Sequence, residues 1–126
     1  MSKGLKITFL IHAIISLVIG IGLYIIPRTF GEMVDWMPFD PTMMRMFGGA
    51  LLALAVSSWL CYRAASWEQV RIVVVMEIAF TILGVLGGLY AVLADDAPPF
   101  TWVQVVIAAV FAILWIYFYT KAPKKS

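Results

Sequence analysis

Charged residues are scarce in this sequence, and so are the side chains that most often build catalytic and metal sites. Only 13% of the 126 residues are Asp, Glu, Lys or Arg, whereas an average soluble domain has about 25%. At the same time 63% of the residues are hydrophobic, and a small chain cannot hide so much apolar surface from water. The composition therefore excludes a soluble globular enzyme and a disordered protein, and it indicates an integral membrane protein.

The chain also has a single cysteine and a single histidine, which limits the chemistry that it can carry. Neither a zinc site nor a haem with paired histidine ligands is complete within it, and no disulfide can form within a monomer. The signatures G-x-S-x-G, H-E-x-x-H and the phosphate-binding loop do not occur in the sequence. We therefore expect a non-enzymatic protein with no metal ion and no cofactor.

Four long apolar runs contain most of the hydrophobic residues. A bilayer core of about 30 Å is crossed by about 20 residues of helix, which is close to the length of each run. Continuous apolar runs indicate helices, because strands of membrane barrels alternate in polarity and have about 10 residues. The sequence predicts an all-α fold, a four-helix transmembrane bundle that forms a single domain over residues 1–126. The predicted spans are 7–26, 43–62, 70–93 and 102–119.

The segment between the first two runs has a helical pattern of its own. Apolar residues recur at helical spacing and acidic residues stand between them, so we expect a short helix in the outer interface. Such a helix is either a lid over a site between the spans or a plain amphipathic connector. The apolar residues are Phe30, Met33, Val34 and Met37, and the acidic ones are Glu32 and Asp35.

Lysine and arginine are unevenly distributed about the predicted spans. Seven fall on one side and two on the other, in short segments where the positive-inside rule applies. We expect a multi-pass protein of the cytoplasmic (plasma) membrane with both termini in the cytoplasm. The basic tail favours contact with anionic membrane lipids, and it is too short for a nucleic-acid footprint. The seven are Lys3, Lys6, Arg63, Arg71, Lys121, Lys124 and Lys125, and the two are Arg28 and Arg45.

Small residues form a face on each predicted span. Because lipid provides no hydrophobic drive between helices, contacts inside a membrane favour small residues that let backbones approach. These faces predict a tight bundle, and some of them are suited instead to a second copy of the chain or to a larger membrane complex. The helix-packing residues are Gly20, Gly49, Ala53, Gly84, Gly88, Ala108 and Ala112.

The single histidine and one glutamate lie well inside the predicted spans. Glu77 is six residues beyond Arg71 and His12 is six residues beyond Lys6, so both lie about 9 Å deep in helices of the same direction. An acidic residue within a span is costly, and by default it is a candidate functional site. If the two helices are neighbours, the two side chains can form a pair.

Hydroxyl groups extend this candidate site, since Thr81 and Ser16 each follow one turn after an ionisable residue. Three interpretations stay open. The group is a proton-responsive or cation-binding site, or a buried pair that fixes the helix register, or Glu77 is close enough to the interface to pair with Arg71 or Arg63.

A second candidate site lies at the outer ends of the spans, where Arg45 opens the second and Gln104 opens the fourth. Arg45 is suited to a lipid phosphate or an anionic substrate. Alternatively it extends its charged group to the interface or pairs with an acidic residue of a loop.

The first span ends at Pro27, the second opens at Arg45 with Gly48 and Gly49, and Arg63 closes it. This layout resembles that of small four-helix prokaryotic integral membrane proteins of unknown function. The resemblance implies the fold and offers no catalytic residues. We therefore expect an interaction or accessory subunit, or a homo-oligomer. The alternative is a small transporter or proton-coupled binding protein centred on Glu77.

Overall fold

The computed structural model describes residues 1–36 and 38–123, and this part of the chain folds into helices without strands. Four of the helices are long and apolar enough to cross a membrane, which is compatible with a multi-pass membrane protein. The predicted all-α fold is confirmed, and so is the short helix in the first loop. The helices are α1 (Lys3–Ile25), α2 (Pro27–Met33), α3 (Pro41–Arg63), α4 (Trp67–Ala94) and α5 (Phe100–Lys121).

Helices α3, α4 and α5 extend beyond their predicted spans at both ends, and α1 begins before its predicted span. The spans were bounded by apolar residues, whereas the ends of the helices also contain polar residues. The short helix α2 ends at Met33, so it is shorter than the predicted pattern. Met37 of that pattern, and Lys124 and Lys125 of the basic tail, lie outside the described residues.

Polar side chains define where α3 and α4 begin. The Asp40 carboxylate accepts a hydrogen bond of 3.1 Å from the backbone N–H of Met43, and Pro41 takes the first helical position. At α4 the Gln69 side-chain oxygen accepts hydrogen bonds from the backbone N–H groups of Ala65 (2.8 Å) and Ser66 (3.3 Å). These bonds satisfy N–H groups that a helix end leaves without partners.

The helices form two compact units. Residues 6–63 make up the first, which we call the α1–α3 unit because it contains most of α1 with α2 and α3. The second, the α4–α5 unit, contains residues 1–5 and the chain from residue 64 onward.

Within the α1–α3 unit, two glycines bring the backbones of α1 and α3 together. A Cβ atom on Gly48 would lie 2.8 Å from the backbone nitrogen of Tyr24 and 3.0 Å from the carbonyl oxygen of Gly20. Backbone atoms cannot move aside as a flexible side chain can, so the contact requires glycine at position 48. A small apolar core of Leu23, Met44 and Leu51 lies in the same unit.

Within the α4–α5 unit the two long helices pack side by side. Gly88 of α4 lies against Val105 of α5, so closely that a Cβ atom at position 88 would meet the valine methyl group at 2.5 Å. At the opposite end of the unit the rings of Trp67 and Tyr119 meet edge to face, 6.0 Å apart. Gly4 approaches the ring of Phe118 at that end.

Candidate functional site

Glu77 is completely buried, although it belongs to a helix that is long and apolar enough to cross a membrane. It lies ten residues beyond Trp67, the first residue of α4, which places it about 15 Å along the helix. Val74 and Thr81 are buried on the same stripe of α4. A carboxylate at this depth is costly to keep, and such residues commonly mark proton or ion pathways.

The Thr81 hydroxyl donates a hydrogen bond of 2.7 Å to the backbone carbonyl of Glu77 and lies 3.2 Å from that of Ile78. A threonine hydroxyl has one proton to donate. Because the backbone takes this proton, Thr81 does not donate to the carboxylate of Glu77. In the candidate site, Thr81 therefore caps a carbonyl of its own helix and is not a donor to the carboxylate.

One of the three interpretations pairs Glu77 with Arg71, and this pairing is not found among the described residues. Arg71 is exposed and makes no ion pair among the described residues. Six residues of α-helix turn the chain by about 600°, which points the two side chains in different directions. Arg63 is exposed as well and closes α3 in the other unit.

His12 is buried in the α1–α3 unit, where it joins α1 to α3. Its Nδ1 atom lies 2.8 Å from the Oγ atom of Ser58, which is also buried. Ser58 donates this hydrogen bond when the imidazole proton is on Nε2, and His12 donates it when the proton is on Nδ1. Glu77 belongs to the other unit, so its predicted pairing with His12 stays a prediction.

The buried polar line of α1 is longer than the sequence indicated. Thr8, His12, Ser16 and Gly20 recur every four residues and all are buried. Ser16 is therefore inside, as predicted, one turn beyond His12, whereas Thr8 was not recognised beforehand. Polar residues at helical spacing within an apolar run were the available signal for Thr8.

The buried stripe of α3 passes through Gly48 rather than through the predicted Gly49 and Ala53. Gly49 is half-buried near the ring of Tyr24, and Ala53 is exposed. Adjacent residues of an α-helix point about 100° apart, so a face that begins at Gly49 misses the buried residues. From Met44 to Ser58 these alternate spacings of four and three. That alternation also identifies Ser58. The buried residues are Met44, Gly48, Leu51, Ala55, Ser58 and Cys61.

The predicted packing residues of α4 and α5 divide by exposure. Ala112 is buried and Gly88 is half-buried, and Ala108 is half-buried next to Gly84. Gly84 itself is exposed, although a Cβ atom there would lie 3.6 Å from that of Ala108. Gly87, which stands beside Gly88 in the sequence, is exposed, and a Cβ atom added to it would have no neighbouring atom within 4 Å among the described residues.

The outer candidates lie in different units. Arg45 is exposed and forms no ion pair with an acidic residue among the described positions, so the predicted pairing with a loop acid is not found there. Gln104 is half-buried in α5. Arg28 is the other arginine that the sequence assigns to this side, and its guanidinium lies 4.6 Å from the ring centroid of Phe39, a cation–π contact.

In the part of the chain that the structure describes, no three His, Cys, Asp or Glu side chains are grouped so that they would hold a metal ion. No protein-family model matches the chain, and neither a curated protein nor a solved structure matches it. The residues themselves are therefore the basis for a functional proposal.

Proposed function

We propose that this chain is a non-enzymatic protein of the plasma membrane that associates with a second copy of itself through α4. The observation that carries the proposal is the open notch at Gly87. Glycine destabilises a helix interior by about 1 kcal/mol relative to alanine, yet no atom of the described chain fills the space beside Gly87. Inside a membrane, exposed small residues let a second helix approach closely.

The surface around Gly87 is suited to a symmetric pair. Leu83 precedes it by four residues and Tyr90 follows it by three, and these side chains are 68% and 66% exposed. The open space at Gly87 and the protruding side chains of Leu83 and Tyr90 thus lie in the same region of α4. In a two-fold contact the same surface is used on both copies, so it must contain both the space and the side chains that fill it. Of the four long helices, α4 also buries the smallest share of its apolar window, 17%.

The substitution Gly87→Leu tests this proposal. The open space lets the monomer accept the larger side chain, while the close approach of a second helix is blocked. We expect wild-type protein in liposomes to show energy transfer between labelled copies, and Gly87→Leu to lose most of it. Ala79→Leu is the matched control, because Ala79 is exposed on the same helix two turns away, and it should retain the signal.

A wild-type protein that stays monomeric at every protein-to-lipid ratio would contradict self-association. Equal energy transfer from wild type and Gly87→Leu would instead show that the copies meet through another surface. Crosslinking in the native membrane that joins α4 only to a different protein would replace the homo-oligomer with an accessory subunit.

The complete burial of Glu77 supports a second candidate function, proton-coupled cation binding or transport. In the test, liposomes contain a pH-sensitive dye and a pH gradient is imposed across their membrane. Sodium or potassium chloride is then added outside, and the dye reports how fast the gradient decays. A coupled site makes the wild-type protein dissipate the gradient faster than protein-free liposomes. Glu77→Gln should abolish the difference in rate from protein-free liposomes, because the glutamine amide does not ionise and so does not take up or release a proton.

Glu68→Gln is the control for that experiment, since Glu68 is an exposed acidic residue of the same helix. It should behave like the wild type. Equal rates from wild type and Glu77→Gln would remove Glu77 as the coupling site.

A further inference from the structure

A pocket of about 250 Å³ lies at the end of the α4–α5 unit where α4 begins and α5 ends. Apolar and aromatic side chains form most of its lining, among them Leu5, Trp67 and Phe118. Three lining residues have hydroxyl or ammonium groups on their side chains, Ser2, Tyr117 and Lys121, and all three are exposed. The pocket is thus mostly apolar, and Lys121 is its one cationic side chain, which water or a headgroup can reach.

The position of this pocket suits a ligand from the membrane surface. Trp67 is the first residue of α4 and Lys121 is the last of α5, so the pocket lies where two membrane-length helices leave the apolar layer. Tryptophan and tyrosine are enriched at this depth because their rings are apolar and their N–H or O–H groups reach the headgroups. Phospholipid phosphates and glycerol groups occupy the same layer.

The charge at this end of the unit favours an anion. The Lys121 ammonium lies 6.0 Å from the ring centroid of Tyr117 and makes no ion pair with an acid among the described residues. Lys3 is a further cation at this end, in the short segment that contributes Leu5. Glu68 is exposed nearby in sequence, but it does not line the pocket.

We propose that this pocket binds one anionic phospholipid, with its phosphate at Lys121 and its glycerol and first acyl carbons against Trp67 and Phe118. The pocket volume is about 250 Å³. That is room for a glycerophosphate group, while the acyl tails stay in the bilayer. The apolar lining gives a lipid contacts that a free phosphate ion lacks. The proposal does not depend on self-association or on Glu77.

Lipid retention by the full chain tests this site. The protein is placed in nanodiscs of phosphatidylcholine with a minor fraction of phosphatidylglycerol, and native mass spectrometry then counts the phosphatidylglycerol that stays bound. Lys121→Gln should lower the apparent affinity by about fivefold, the contribution of one lysine near a charged surface. Lys3→Gln is the matched control, because Lys3 is exposed at the same end but does not line the pocket, and it should have a smaller effect.

A second variant fills the pocket and keeps the positive charge of Lys121. Ala122 lines the pocket and is half-buried, so Ala122→Phe should reduce phosphatidylglycerol retention while the helix content measured by circular dichroism stays the same. Equal losses from Lys121→Gln and Lys3→Gln would overturn the proposal in favour of general surface attraction. Full retention by Ala122→Phe, or displacement of the lipid by excess inorganic phosphate, would overturn it as well.

Discussion

At the scale of single residues, the hydrogen bond between His12 and Ser58 connects α1 to α3 inside an apolar unit. A buried polar group without a partner costs more free energy than a hydrogen bond contributes, so each of these side chains depends on the other. The sequence placed His12 within a span, but it did not identify Ser58. The reason is that two adjacent serines, Ser57 and Ser58, point to different sides of the helix, and only the packing of α3 decides which one is inside.

Ser58→Ala is expected to destabilise the α1–α3 unit by about 1 kcal/mol, because it leaves Nδ1 of His12 without its hydroxyl partner. Ser57→Ala is the control: Ser57 is half-buried and has no hydrogen bond to His12. Denaturant-induced unfolding in mixed micelles measures both. A loss from Ser57→Ala as large as that from Ser58→Ala would contradict a specific role for the hydrogen bond.

At the scale of helices, glycines within the long helices have two different environments, tight helix contact and open space. Gly48 permits backbone contact between α1 and α3, whereas Gly87 leaves open space on α4. Both are glycines within apolar helices, so the sequence does not distinguish them. Which of the two is packed depends on which face the neighbouring helix covers.

Gly48→Ala and Gly87→Ala should therefore have opposite effects on stability in monomeric micelles. A methyl group at position 48 would overlap with the backbone of Tyr24 and Gly20, which costs at least about 1–3 kcal/mol as overpacking. At position 87 the methyl group meets nothing, so stability should be unchanged or rise by up to about 1 kcal/mol. The same unfolding measurement compares the two, and a stable Gly48→Ala protein would show that α1 and α3 lie further apart.

At the scale of the whole molecule, the distribution of charge predicts how the chain lies in its membrane. In the sequence, seven lysines and arginines fall on one side of the predicted spans and two on the other. From this distribution the positive-inside rule predicts that both termini and the turn before α4 are in the cytoplasm. The loop after α4, with Asp95, is expected outside.

Thiol labelling in intact cells checks this orientation. In a Cys61→Ala background, which removes the single native thiol, cysteine is introduced at Ala65 or at Asp95, both exposed positions in loops. A membrane-impermeant reagent should modify Asp95→Cys in intact cells and Ala65→Cys only after permeabilisation. The reverse pattern would mean that the charge distribution does not set the orientation.

The sequence by itself determined the number and approximate positions of the four long apolar helices, and it predicted a short helix in the loop between the first two. These features depend on hydrophobic length, proline and local capping groups, which act within a few residues of each other. The tertiary structure decided which face of each helix is inside, and so selected Ser58 over Ser57 and Gly48 over Gly49. It also formed the pocket beside Lys121, because residues from both ends of the sequence meet there only after the helices pack.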